Sequence, residues 1–263
     1  MTIGFIGTGN MGGALAQAAA AAVGGEHLLL CDVNKEKAAA LAQELGAAAV
    51  ELPALLEQSD YIFLGVKPQV LEAALKPLCG ALRDEQVLIS MAAGVSIARV
   101  AECVGRACPV IRIMPNTPVA VGQGMVLYTP EETVTAAQEA DFCRVLSCAG
   151  RLSKIPEALM DAGSAVSGCG PAFAYLFIEA LADGGVECGL PRQQALDLAA
   201  QTVLGAARMV LETGRHPGEL KDAVCSPGGT TIAGVHALEN GGFRSVAMDA
   251  VTAAYRRTLE LMK

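Results

Sequence analysis

An α/β domain over residues 1–157, followed by an all-α domain over residues 158–263, is the fold class the sequence predicts. Three observations carry it. Apolar runs of strand length alternate with helix-period segments through the first part of the chain. From roughly residue 158 the strand signals stop and long helical patterns follow, as at a change of domain. The first strand and first helix are joined by a glycine-rich turn, Gly7-Thr8-Gly9-Asn10-Met11-Gly12.

Composition narrows the partners. The chain has 263 residues, 52% hydrophobic but only 4% aromatic and without Trp, because alanine carries much of the apolar count. Such a composition suits close-packed helices better than a β-sandwich. A net charge of -8 argues against nucleic acid or an anionic membrane surface, both of which need basic faces. Small molecules are the expected ligands. The nine cysteines are odd in number and no secretory signal precedes them, so reduced thiols in a cytoplasmic protein are expected. No His/Cys spacing fits a metal site, and glycines interrupt the apolar N-terminal run, so neither a metal nor a membrane span is expected.

Residues 2–6 form a short apolar strand and residues 13–23 an alanine-rich helix, with the G-x-G-x-x-G turn between them. Residues 27–32 (HLLLCD) read as the second strand, and Asp32 falls about 20 residues beyond the glycines. Strand, glycine turn, helix, strand and acid in this order predict a Rossmann-type dinucleotide-binding domain. A helix over 35–45, a short run at 48–50 and a segment at 53–58 lead to residues 61–66 (YIFLGV), a buried parallel strand. Lys67-Pro68 ends it, with a helix over 69–78 beyond. A strand over 87–90 leaves through Met91-Ala92-Ala93-Gly94, small enough for a flat ligand to lie close, before a helix over 97–104. The strand over 110–114 ends in the loop Met114-Pro115-Asn116-Thr117-Pro118, either a proline-stiffened turn or a ligand wall. Residues 124–128 and 151–155 read as edge strands around a helix over 131–146.

In the second part, residues 162–178 carry no charge and are apolar on nearly every side of a helix, and residues 192–212 bear two apolar stripes. A domain of this size has too few helices to cover both, so burial by a second copy is expected. Near the end, Ser226-Pro227-Gly228-Gly229-Thr230-Thr231 breaks one helix and starts another. Glycines, two hydroxyls and a helix N-terminus suit a small anion, and no phosphate-loop lysine follows. Taken alone, the same residues also fit an ordinary capped turn.

Taken together, IGFIGTGNMGGAL at the N-terminus, FLGVKPQ at 63–69, SMAAGVS at 90–96, RIMPNTPVAVGQG at 112–124, SGCGPAF at 167–173 and LKDAVCSPGGTTIAGVHALE at 220–239 resemble the pyrroline-5-carboxylate reductase family over nearly the whole chain. The resemblance implies a Rossmann-type domain followed by a helical dimerisation domain, with some members assembling five dimers into a decamer. It places Phe5, Ile6, Gly7, Thr8, Gly9, Asn10 and Met11 on the dinucleotide; at the ribose end an acid such as Asp32 ordinarily accepts the free hydroxyls of NAD and repels a 2′-phosphate, which Asn34 or Lys35 could still receive. Val66, Lys67, Pro68, Met91, Ala92 and Ala93 line its nicotinamide half, and Asn116 stands on the cofactor side. Ser226, Gly228, Gly229, Thr230 and Thr231 hold the substrate carboxylate. Two positions depart from the family's pattern. Asp32 stands where readers of the NADP 2′-phosphate often carry Ser or Asn, and Leu52 stands where some relatives are polar. NADPH and NADH both stay open as cofactor.

The reaction so implied is hydride transfer to the imine carbon of 1-pyrroline-5-carboxylate, giving L-proline. A protonated imine is already electrophilic, so alignment and charge placement matter more than a strong acid. Thr231 is expected to hydrogen-bond the ring nitrogen. Two other readings compete. A 3-hydroxyacid dehydrogenase-like ketoacid reductase would need a proton donor, and no lysine occurs between Lys154 and Lys221 to serve as one. A non-catalytic dinucleotide-sensing protein would bind cofactor and leave it unoxidised.

Overall fold

A computed structural model describes residues 1–66, 71–105 and 108–261. The N-terminal sheet has eight strands: β1 (Ile3–Ile6), β2 (Leu28–Cys31), β3 (Ala48–Ala49), β4 (Tyr61–Leu64), β5 (Val87–Ser90), β6 (Val110–Met114), β7 (Gly124–Pro130) and β8 (Gly150–Lys154). Their spatial order is β3-β2-β1-β4-β5-β6-β7-β8. The first six run parallel, β7 is antiparallel to β6, and β8 is parallel to β7. Order reverses between β2 and β4 on either side of β1, the switch point where doubly wound sheets bind ligands.

The helices between strands are α1 (Asn10–Val23), α2 (Lys35–Leu45), α3 (Leu52–Gln58), α4 (Leu71–Leu75), α5 (Ile97–Val104) and α6 (Ala136–Val145). Alternate residues of each strand feed opposite layers. One layer gathers Phe5, Leu15, Phe63, Ile89, Ile113 and Phe142. The other gathers Ile6, Leu55, Ile62, Leu64, Leu88 and Val100. Phe5 and Phe63 stack with centroids 4.5 Å apart in the first. Burial on both faces explains why these strands read as unbroken apolar runs.

Several expectations are corrected. The first helix starts at Asn10 rather than residue 13, so the third glycine of the turn lies inside it. β7 is an interior strand, since it pairs with β6 on one side and β8 on the other; β8 and β3 are the edges. α6 starts at Ala136 and not at 131, because Thr135 and Gln138 form a reciprocal capping box there. The run over 162–178 divides at Gly168–Cys169 into α7 (Met160–Ser167) and α8 (Gly170–Glu187). The expected helix over 69–78 is α4 followed by a 3-10 turn over Lys76–Leu78, with its first residues outside those described.

The chain divides into two compact units, one of Met1–Cys169 with the residues from Tyr255 onward, the other Gly170–Ala254. The strand signals do end at Lys154, yet α7 groups with the sheet, because Met160 packs on Met114 and Leu127. The second unit comprises α8, α9 (Arg192–Thr213), α10 (Pro217–Ala223), α11 (Thr230–Asn240) and most of α12 (Phe243–Leu261). Its buried apolar cluster contains only Ala182, Ala195 and Ala199. Glu157–Glu187 is long and apolar enough, by length and composition, to cross a membrane, although the 168–169 turn interrupts it.

Candidate active site

The glycine turn between β1 and α1 is built by close backbone approach. Gly7 has φ +95°, a left-handed conformation that side chains resist, and a Cβ there would meet the Gly65 carbonyl at 2.6 Å. A Cβ on Gly12 would lie 2.1 Å from the Gly7 carbonyl, so this glycine lets α1 sit against the strand. By contrast, a Cβ on Gly9 would meet nothing within 4 Å. The second glycine therefore faces open space where a pyrophosphate can approach the backbone. Gly9 is also the N-cap of α1 and no side chain caps that end, so the N–H groups of the first turn remain available to an anion. These three roles are those the dinucleotide fingerprint requires.

Asp32, just beyond β2, organises the adjacent edge. Its Oδ2 accepts from the Thr8 N–H at 2.6 Å and the Thr8 hydroxyl at 3.0 Å, and its Oδ1 accepts from the Asn34 N–H at 2.9 Å. Partial burial pushes this carboxyl up, but the bonds from Asn34 and Thr8, helped by Lys37, outweigh it and hold the pKa below the usual value. The Asn34 side chain caps α2 by accepting from the Lys37 N–H at 3.0 Å. Lys35 reaches Glu51 at 2.5 Å, both side chains being largely exposed. Leu52 packs on the apolar layer beneath α3.

The remaining cofactor candidates of this unit collect at the same strand ends. Phe5 and Ala92 are buried with their side chains in the core, so they can offer only backbone to a ligand. Ile6 and Thr8 are also buried, whereas Asn10 is exposed and Met11, Val66, Met91 and Ala93 are at least partly accessible. Lys67 and Pro68 lie outside the described residues. Asn116 is 9% exposed; its Nδ2 donates to the Ser167 carbonyl at 2.9 Å and its Oδ1 accepts from the Met125 N–H at 2.8 Å. Its amide thus ties the 114–118 loop to β7 and α7. Gly65, which the sequence reading did not single out, is as tightly placed as the fingerprint glycines. A Cβ on it would meet the Gly7 carbonyl at 2.6 Å.

In the second unit the turn after α10 brings Ser226, Gly228, Gly229, Thr230 and Thr231 together. Gly228 has φ +69°, and the Gly229 N–H donates to the Ser226 carbonyl at 3.0 Å. A Cβ on Gly229 would strike the Ser226 hydroxyl at 2.3 Å. Gly229, not Ser or Thr, is the N-cap of α11, and no side chain caps the helix. The first turn, carrying Thr230 and Thr231, so keeps N–H groups free for a carboxylate. An open groove of about 780 Å³ along this side is lined by Lys221, Gly228, Gly229, Ile232, His236 and Glu239. Among the described residues no three His, Cys, Asp or Glu side chains gather as a metal would need.

The glycine cradle at the carboxyl ends of a parallel sheet, followed by a helical unit with an anion-ready turn, defines a Rossmann-type dinucleotide-dependent oxidoreductase. Two family models match: pyrroline-5-carboxylate reductase dimerisation over residues 157–261, and coenzyme F420-dependent NADP oxidoreductase over residues 2–94. Pyrroline-5-carboxylate reductase of Escherichia coli (strain K12) is 41% identical over 99% of this chain and 98% of its own length. That of Methanosarcina acetivorans is 42% identical over the same shares. The NADP-bound pyrroline carboxylate reductase of Plasmodium falciparum superposes with a TM-score of 0.88 at 33% identity, covering 100% of this chain and 98% of that one. The enzyme from Coxiella burnetii superposes at 0.93 with 31% identity and the same coverage. This chain belongs to the pyrroline-5-carboxylate reductase family.

Proposed function

We propose that this chain reduces 1-pyrroline-5-carboxylate to L-proline, the last step of proline biosynthesis, with NADPH or NADH as cofactor. The observation that carries the reading is the match to pyrroline-5-carboxylate reductases over 99% of the chain. The reduced nicotinamide supplies the hydride. Gly9 opens the α1 N-terminus to the pyrophosphate within the turn that Gly7 and Gly12 shape, and residues 91–93 with Val66 line the nicotinamide half. Ser226 and the Thr230 N–H grip the substrate carboxylate, the Gly229 N–H being engaged by the Ser226 carbonyl within the turn, and the Thr231 hydroxyl bonds the ring nitrogen. No lysine lies between Lys154 and Lys221 to protonate an alkoxide, which weighs against a ketoacid reductase.

The second copy belongs to this reading. In the helical unit Tyr175, Leu176, Leu198, Leu211, Val246 and Met248 are each at least half exposed, more apolar surface than a lone domain leaves open. A homodimer that interlocks these helices covers them, and five such dimers complete the decamer that the family resemblance suggests. The protein then works as a cytoplasmic enzyme, its ligands small molecules rather than nucleic acid or membrane. The test is nicotinamide absorbance: the wild type oxidises NADPH or NADH only when pyrroline-5-carboxylate is added, and proline forms. Thr231→Ala lowers kcat/KM by roughly ten- to a hundredfold, the loss of one transition-state hydrogen bond. Unchanged absorbance with the imine acid would leave the sensor reading instead.

A further inference from the structure

Arg112, in β6, is the one charged residue among the buried residues described, with a side chain 4% exposed. Its Nη1 lies 3.2 Å from Glu157 Oε1 and its Nη2 3.0 Å from Asp161 Oδ1. The same Glu157 oxygen accepts the N–H of Ile97 at 2.8 Å. Ile97 is the first residue of α5, and Ser96 caps that helix. Residues 91–96, which connect β5 to α5, are therefore held at both ends. The near end is set by the pairing of Ser90 with Arg112, and the far end by the carboxylate that Arg112 itself grips.

A buried ion pair is a poor device for stability alone, because desolvation offsets its attraction and apolar replacements are often as stable. Here the desolvation is incompletely compensated: the Nε of Arg112 and the hydroxyl of its register partner Ser90 are both buried without a hydrogen-bond partner. What the cluster supplies is placement. One carboxylate oxygen shared by a guanidinium and a helix N–H fixes the start of α5 against β6 in position and direction.

We propose that Arg112 is a positioning residue for hydride transfer, acting through Glu157 on residues 91–96. It touches neither cofactor nor substrate; it sets the floor on which the nicotinamide half rests. The inference depends on the assignment of Met91, Ala92 and Ala93 to that half of the cofactor. Loss of the clamp lets the segment shift and degrades alignment while leaving the glycine cradle intact.

Arg112→Met and Glu157→Ala test it by binding and amide exchange as well as by rate. Glu157 is about one-third exposed, so its truncation is tolerated by the fold even where loss of Arg112 is not. Each variant is expected to bind NADPH or NADH about five- to tenfold more weakly while binding ADP-ribose, which lacks the nicotinamide, as the wild type does. Hydrogen exchange over residues 91–97 quickens, and kcat falls on the order of ten- to a hundredfold with KM for the imine acid little changed. Equal weakening of ADP-ribose, or unchanged affinity for both ligands in Glu157→Ala, overturns the proposal. A wild type that binds NADPH but never reduces the imine acid would refute the function instead, and the binding ratio would still judge Arg112.

Discussion

Asp32 answers to two demands at once. Its carboxylate is bonded to Thr8 and Asn34, and under the proposed function it also meets the ribose 2′-hydroxyl or 2′-phosphate of the cofactor. Asp32→Asn removes the charge and an acceptor, so the ratio of NADPH to NADH affinity is expected to rise, measured as paired Kd values. The same change costs stability in a pH-dependent way. A folded pKa below the unfolded value near 3.9 means the contribution is complete above that pH and is lost as pH falls through the folded value. Melting curves should therefore show the gap between wild type and Asp32→Asn narrowing below about pH 4. Gly12→Ala puts a methyl 2.1 Å from the Gly7 carbonyl, and should lower Tm and abolish saturable NADPH fluorescence. These positions were legible because the fingerprint is contiguous in sequence and each glycine has a local backbone reason. Arg112, Glu157 and Asp161 were not, because 45 and 49 residues separate Arg112 from its partners and only the fold pairs them.

At the scale of elements, boundaries followed local chemistry wherever that chemistry was read. α6 shows the cost of missing it. Residues 131–134 continue the helical pattern, but Thr135 and Gln138 carry the reciprocal cap that fixes the true start. Thr135→Ala is expected to cost about 1 kcal/mol and a few degrees of Tm, read by thermal melts. β7 reads as an edge from its sequence, Gly124–Pro130, because nothing in it says which strands flank it. Pairing to both β6 and β8 is a long-range fact. The buried strands β1, β4 and β5 were plain, since covering by helices on both faces leaves an uninterrupted apolar run.

At the scale of the whole molecule, the sequence showed a helical part too apolar for its size, and the structure gives that excess an address. Val246 and Leu176 are each more than 60% exposed, although both are hydrophobic. Light scattering should return at least twice the 26.9 kDa protomer mass. Leu176→Glu or Val246→Glu is expected to yield dissociated, poorly active protein, and the wild-type Tm should rise with protein concentration. The reversal at β7 has its own consequence. β1 to β6 all finish at the edge that carries the glycine cradle, whereas β7 and β8 run the opposite way. α7 then turns back, from Asp161 beside Arg112 to Ser167 beside Asn116, just past the end of β6. The count of passes is a matter of parity: with this return helix the polypeptide quits the sheet at the rim that carries the glycine turn, and deleting one pass would deliver it to the far rim.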